Sequence, residues 1–197
     1  MGKLVKRSQR RAYYGVPAAE SGTTTYTRMT KFTSLSKSKN PKTYSRQYVD
    51  EDAAIEDVVG YAESISYAFD EEMGNTVHAD IANIADEEQL GEDAVREIIV
   101  VFLDQEGETS GSKRAVKRSY AVIPNGEGDK VEAYTRAGDF KCRGPQVFGE
   151  AHPPMIGKPS HSLRTHNVPA VFLRRRANDP GRSDKVGNQR HHPGAGH

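Results

Sequence analysis

The stretch that decides the expected fold is residues 42–89, KTYSRQYVDEDAAIEDVVGYAESISYAFDEEMGNTVHADIANIADEEQ. Within Ser64–Phe69, the apolar residues Ile65, Tyr67 and Phe69 alternate with small or polar ones. This alternation is typical of a strand with one buried face. Residues 43–49 contain two aromatic residues, Tyr44 and Tyr48, and predict an earlier strand. An acidic loop joins this strand to Ser64–Phe69.

The hydrophobic period changes after this strand. Val77, Ile81 and Ile84 follow one another at helical spacing, and Asn75 precedes them as a favourable N-cap. The sequence therefore predicts one amphipathic helix at Thr76–Asp86, packed on the apolar face of the strand. His78 lies near the polar edge of this helix and is interpreted as an ordinary surface residue.

The remaining regular segments are predicted strands. Val95–Leu103 includes a run that is apolar on both faces, so both faces should be covered. Residues 124–129 have the composition of a hairpin connection. The other predicted strands are Thr27–Ser36, Arg114–Ile123, Val131–Arg143 and Gln146–Ala151. Several strands, one helix and several more strands indicate an α+β fold with mostly antiparallel pairing.

Composition changes along the chain. Residues 152–197 contain eight Lys or Arg and two Asp or Glu, a net charge of about +6 by simple counting, while the whole chain is +1. The body is therefore about −5. This last segment is also rich in His and Pro. The expected organisation is a flexible arm at residues 1–25, a domain at residues 26–151 and a basic tail at residues 152–197 that lies outside the fold.

Few residues suggest chemistry. The segment GETSGSK, residues 107–113, has glycines one residue too close for a phosphate-binding loop and no helix after it. The tail histidines lack a folded frame or cysteines to complete a metal site. No nucleophile has a base at motif spacing, so no catalytic residue, cofactor or metal site is predicted. The single Cys142 excludes an intrachain disulfide. No segment approaches the roughly 20 apolar residues of a membrane span, and no membrane partner is expected.

Several segments together resemble the major tail tube proteins of long-tailed bacteriophages and related prophages of Gram-positive bacteria. In order, they are FTSLSKSKNPKTYSRQYVDE (residues 32–51), DVVGYAESISYAFD (57–70), NTVHADIANIADEEQLGEDAVREIIVVFL (75–103), KRSYAVIPNGEGD (117–129) and YTRAGDFKCRGPQVFGEA (134–151). The resemblance covers about residues 25–151. It stops at Ala151, beyond which residues 152–197 are interpreted as an out-of-frame or acquired extension.

The resemblance implies a fold and a role. The fold would be a β-sandwich or half-barrel with one flanking helix. Copies of the chain would form rings, usually hexameric, that stack into a tube through which phage DNA passes without specific binding. Other expected partners are tail proteins such as the tape measure or terminator protein. The implied location is the virion tail, assembled in the bacterial host cytoplasm, and the implied activity is structural, not enzymatic.

Three regions are predicted to make contacts between subunits: the arm, the loop at residues 50–60 and the loop at residues 105–113. The predicted contact residues are Arg10, Arg11, Tyr13, Tyr14, Asp50, Asp52, Ile55, Val58, Tyr61, Ser110 and Lys113. The alternative function is a nucleic-acid-binding module that uses the basic arm and the C-terminal tail. Salt-dependent DNA binding by a monomer would favour that alternative.

Overall fold

The computed structural model describes residues 4–17, 24–128 and 131–152. A short 3-10 helix at Arg7–Gln9 precedes the first strand. In chain order, the remaining elements are β1 (Arg10–Pro17), β2 (Thr24–Arg28), β3 (Phe32–Ser38), β4 (Pro41–Arg46), β5 (Ile55–Tyr61), β6 (Ser64–Asp70), α1 (Thr76–Asp86), β7 (Val95–Glu106), β8 (Lys113–Glu127) and β9 (Thr135–Ala151).

Seven strands form one curled sheet in the order β2-β1-β7-β8-β9-β6-β3. The edge strands β2 and β3 are consecutive in the chain, and only residues 29–31 separate them. A flat sheet would hold these edges about 29 Å apart, whereas four peptide steps span at most about 14 Å. The sheet must therefore curl so that its two edges approach each other where residues 29–31 join them. All described pairings are antiparallel, which confirms the predicted α+β half-barrel.

Helix α1 has the predicted bounds and covers one face of the sheet. The Asn75 side chain caps it by accepting hydrogen bonds from Val77 N and His78 N (3.1 and 3.4 Å). Val77, Ile81 and Ile84 are buried, as their spacing predicts. They pack in one core cluster with the sheet side chains Tyr14, Ile65, Tyr67, Phe69, Ile98, Tyr120, Val122 and Phe140.

The expectation of a surface position for His78 is wrong, because its side chain is fully buried. Its ring stacks on Phe69 with centroids 4.1 Å apart and meets the edge of Phe32 at 5.3 Å. Burial lowers the pKa of His78, against the opposing effect of the Thr30 carbonyl and two nearby carboxylates. Phe69 of β6 and Phe32 of β3 cover the side of the helix that carries His78. The helical spacing alone did not indicate this cover.

Strand β7 is covered on both faces, as its sequence predicts. Ile98 belongs to the cluster under the helix. Ile99 and Val101 belong to a second cluster on the opposite face, with Tyr13, Ala115 and Ala151. The central position of β7 in the sheet explains why its sequence is apolar without alternation.

The N-terminal segment differs from the prediction of an arm. Residues 10–17 form β1, which lies between β2 and β7. The buried aromatic rings of Tyr13 and Tyr14 attach this strand to the two core clusters. Burial of these two rings stabilises the attachment of β1 to the sheet through the hydrophobic effect, which a free arm would lack. Residues 4–8, in contrast, are exposed.

Strand boundaries also differ from the sequence predictions. The expected strand at Thr27–Ser36 is divided into β2 and β3 by Lys31, which has a φ of 65°. The expected loop at residues 50–60 contains β5, which pairs with β4. The two strands predicted at Val131–Arg143 and Gln146–Ala151 are joined in the single strand β9, which begins only at Thr135, so residues 131–134 lie outside it. Except for His152, the predicted tail lies outside the described residues.

Candidate assembly surface

Strands β4 and β5 form a two-stranded hairpin that is separate from the main sheet. Their register runs from Pro41 opposite Tyr61 to Arg46 opposite Ile55. At about 3.3 Å per residue, the six residues of β4 span about 20 Å. The base is attached to the sheet by the Asn40 side chain, which donates to Ala62 O (3.0 Å) and to the Ser64 hydroxyl (3.1 Å).

The hairpin exposes large apolar side chains on both faces. They are Tyr44, Ile55, Val58, Val59 and Tyr61, with exposed fractions between 36% and 64%. A lone two-stranded hairpin is at best marginally stable in water. Covering these side chains with another protein surface would bury apolar area and stabilise both the hairpin and the contact.

The turn of the hairpin is acidic. Asp50, Glu51 and Asp52 follow one another and are all exposed. Val49, immediately before them, is fully exposed, and Tyr48 is half exposed. We call residues 48–52 the hairpin tip. It combines apolar and negatively charged side chains, so it suits a partner surface that is both apolar and basic.

A buried carboxylate lies beside the base of the hairpin. Glu63, 2% exposed, accepts from Lys37 Nζ (2.7 Å) and Lys39 Nζ (2.9 Å) and from the Tyr120 hydroxyl. Burial alone would raise the pKa of Glu63, but the hydrogen bonds from Lys37, Tyr120 and Lys39 outweigh it and hold the pKa at about 2. This cluster joins β3, the start of β6 and β8.

The depressed pKa of Glu63 makes the stability of the fold pH-dependent. The unfolded carboxyl titrates near 4.5 and the folded one near 2, so the ionised form favours the native state. That contribution is complete above pH 4.5 and is lost as the pH falls towards 2. We expect it to be on the order of 2 kcal/mol after allowance for solvent screening. Urea unfolding at several pH values between 6 and 2.5 measures it.

The matched comparison uses two substitutions. In Glu63→Gln, the free energy of unfolding should fall less steeply across this pH range than in the parent. Glu51→Gln, in the exposed hairpin tip, removes the same kind of group from a solvated position and should reproduce the parent curve. Equal acid sensitivity of parent and Glu63→Gln would contradict the assigned role of the Glu63 cluster.

The predicted contact residues of the N-terminal region are divided between the core and the surface. Tyr14 is fully buried and its hydroxyl donates to Asp80 Oδ2 (2.7 Å), while Tyr13 is 7% exposed. Neither tyrosine is available to a neighbouring subunit, in contrast to the prediction. Arg10 and Arg11 are partly buried, and Arg10 forms an ion pair with Asp104.

The other predicted contact residues lie on two separate surfaces. Asp50, Asp52, Ile55, Val58 and Tyr61 belong to the hairpin and are exposed. Ser110 is exposed in the loop between β7 and β8, and Lys113 at the start of β8 pairs with Glu106.

The loop between β7 and β8 is held by a second buried carboxylate. Glu150 accepts from the backbone N–H groups of Glu108 and Thr109 and from the Ser112 hydroxyl (2.9 Å). The hydrogen bond from Glu108 N–H is the main cause that lowers the pKa of Glu150 to about 2. The loop is therefore fixed to the end of β9, and its exposed tip is presented in a defined position.

Sequence reasoning missed a row of arginine and phenylalanine side chains across β1, β7, β8 and β9. The Arg10 guanidinium lies 4.6 Å from the Phe102 ring centroid. Arg114 lies 5.6 Å from Phe102 and 5.3 Å from Phe148. We call these four residues the arginine–phenylalanine surface. Only the register of the strands brings them together, and no motif in the linear sequence indicates them.

The described residues include no group of three or more His, Cys, Asp or Glu arranged to hold a metal ion. Among helices of the described part of the chain, none is long and apolar enough to cross a membrane. The two carboxylates with strongly lowered pKa, Glu63 and Glu150, are each surrounded by hydrogen-bond donors from their own fold. Such contacts fit structural roles better than acid–base chemistry.

Comparison with known proteins found no matching family model and no matching curated protein. Among solved structures, the chain is similar to one from the six-fold symmetrised baseplate of the anti-feeding prophage. The TM-score is 0.45 and the identity 7%, over 75% of this chain and 97% of that chain. At this degree of similarity, the likeness concerns only the coarse course of the strands and says nothing of function.

Proposed function

We propose that this chain is a structural subunit of a phage-type tail. Copies associate in rings, usually of six, and the rings stack into a tube through which DNA passes. The observation that carries the proposal is the projecting β4–β5 hairpin, whose exposed apolar side chains lack cover within the described subunit. A subunit that completes its burial by assembly would have this feature.

Three further features support this proposal. The ordered set of segments that resembles tail tube proteins includes the hairpin and extends through β9. The free edges of β2 and β3 also offer backbone groups to strands of neighbouring copies. The exposed Leu4 and Val5 belong to the N-terminal segment that we expect to cross to a neighbour. Further partners would be the tape measure and terminator proteins, and the assembled tube would lie in the virion tail.

Shortening the hairpin tests the proposal. Pro41 and Tyr61 face each other across its base, so an Asn-Gly turn can replace residues 42–60 without changing the main sheet. We expect the parent chain to form rings or tubes in electron micrographs and large species in sizing chromatography. The shortened variant should remain a folded monomer, because it lacks the apolar side chains that a neighbour covers.

A matched control removes exposed apolar groups elsewhere. Met73 and Leu90 are 102% and 81% exposed, and Met73→Ser with Leu90→Ser should assemble as the parent does. If the shortened variant also assembles normally, the hairpin is not an assembly element. If the parent stays monomeric at high concentration, the proposed function is wrong. Salt-dependent DNA binding by that monomer would instead support the nucleic-acid-binding alternative.

A further inference from the structure

The arginine–phenylalanine surface carries one positive charge that the described subunit does not neutralise. Arg10 is paired with Asp104. Arg114 is exposed, forms no ion pair among the described residues, and donates only to the Gln105 side-chain oxygen (3.0 Å). Its guanidinium lies over Phe102 and Phe148, of which Phe148 is 43% exposed. The surface therefore presents a cation that lies over two aromatic rings, beside exposed apolar area.

Such a surface selects a particular partner. Stacking on an aromatic ring leaves the edge of a guanidinium free, and its N–H groups can donate to a carboxylate in two parallel hydrogen bonds. The adjacent rings favour an apolar side chain next to that carboxylate. The matching ligand is thus a short segment with an apolar residue followed by acidic ones.

The hairpin tip has this composition. Val49 is fully exposed and directly precedes Asp50, Glu51 and Asp52. The hairpin extends about 20 Å from its base, and its strands pair with each other and not with the main sheet. It is therefore built to reach another molecule.

We propose that the hairpin tip of one copy docks on the arginine–phenylalanine surface of a second copy, with an acidic residue of the tip pairing with Arg114. This inference rests on the proposed self-assembly and names its contact. The donor and acceptor surfaces differ, so each copy both gives and receives a hairpin. A contact of this heterologous kind propagates into closed rings or stacked layers.

The charge distribution favours this partner over nucleic acid. Binding to a nucleic-acid phosphate backbone needs several uncompensated cations along the path of the nucleic acid. Here Arg10 and Lys113 are already paired with Asp104 and Glu106, which leaves Arg114 as the uncompensated cation of this surface among the described residues. A single uncompensated guanidinium suits one carboxylate better than a polyanion.

Charge reversal tests the contact. Arg114 is exposed, so Arg114→Glu should lower the thermal stability of the subunit only slightly, through loss of its contacts with Phe102, Phe148 and Gln105. The same variant should raise the critical concentration for assembly about tenfold or more. Asp50→Lys with Asp52→Lys should weaken assembly similarly. Combining all three substitutions should restore assembly to within about threefold of the parent, because the pair is then reversed and intact. Lys141→Glu, an exposed charge reversal elsewhere on the sheet, serves as the control.

The other results overturn the inference. Unchanged assembly of Arg114→Glu would remove this surface from the interface while leaving the proposed function standing. If Arg114→Glu weakens assembly and the added Asp50→Lys and Asp52→Lys substitutions do not restore it, the hairpin tip is not the ligand of this surface. Loss of binding to a DNA duplex in Arg114→Glu, with assembly unchanged, would assign the surface to nucleic acid. A parent that never assembles would refute the proposed function together with this contact.

Discussion

Replacing Arg96 with alanine is expected to lower the free energy of unfolding by about 3–5 kcal/mol, the usual cost of leaving a buried charge without its partner. The Arg96 guanidinium donates to both carboxylate oxygens of Asp80, from Nε at 2.8 Å and from the second terminal nitrogen at 3.1 Å. The remaining terminal nitrogen donates to Asp93 O and Val95 O. The substitution would thus remove the guanidinium donors of one carboxylate and two carbonyl groups, and only the Tyr14 hydroxyl would still donate to Asp80.

The effect should be large because this contact joins three elements. Asp80 lies on α1, Arg96 on β7, and the buried Tyr14 of β1 donates to the same carboxylate. Burial and the Asp80 carboxylate both raise the pKa of Tyr14, which keeps the hydroxyl a donor at all ordinary pH values. Loss of Arg96 would therefore loosen the contact of the helix with the sheet.

Denaturant unfolding of Arg96→Ala and Arg143→Ala provides the comparison. Arg143 also pairs with a carboxylate, that of Glu92, but both side chains are largely exposed. Exposed pairs contribute about 0–1 kcal/mol, so Arg143→Ala should differ little from the parent. Equal, small losses in both variants would refute the structural role of the Asp80–Arg96 contact.

Substitution of Gly138 by alanine should also destabilise the subunit strongly. A Cβ at this position of β9 would lie 2.5 Å from Ile123 O and 2.5 Å from the Tyr67 hydroxyl oxygen. The carbonyl belongs to the neighbouring strand β8 and cannot move without breaking the sheet register. We expect a loss of about 1–3 kcal/mol or more, as for other overpacked cores.

The control for this substitution is Gly60→Ala in β5. A Cβ at Gly60 would have no neighbouring atom within 4 Å, and its φ lies outside the left-handed region. Its stability should stay within about 0.5 kcal/mol of the parent. Thermal and denaturant unfolding of both variants measure the difference, and a Gly138→Ala protein as stable as Gly60→Ala would show that Tyr67 does not lie over the glycine in solution.

Local signals in the sequence were sufficient to predict a helix or strand where they agreed with the tertiary environment of that element. The helix at Thr76–Asp86 was predicted to the residue because its N-cap and its apolar spacing are both local to the segment. Strand β6 was predicted from its alternation, since it packs one face against the core. The apolar run of β7 correctly indicated cover on both faces.

Where the decisive partner is distant in sequence or absent, the same reasoning failed. β1 is held by β7, with Tyr14 opposite Ile98, and nothing near residue 14 reveals that pairing. β5 has neither face buried in its own subunit, so it lacks the alternation that identifies a strand. The arginine–phenylalanine surface needs the register of four strands. Candidate contact residues could thus be placed on the hairpin from sequence, whereas their proposed acceptor surface could not.

For the proposed contact between copies, the strand order sets which of its two surfaces is made first during synthesis. β3 and β6 are joined to the other strands of the sheet only through β9, the last strand described. The hairpin at residues 41–61 is translated early, but Phe148 of its proposed acceptor surface is translated about ninety residues later. A ribosome-bound chain can therefore offer a hairpin before it can receive one. Under the proposed contact, a growing chain could dock its hairpin on a finished copy, but it could not receive a hairpin until β9 has been made.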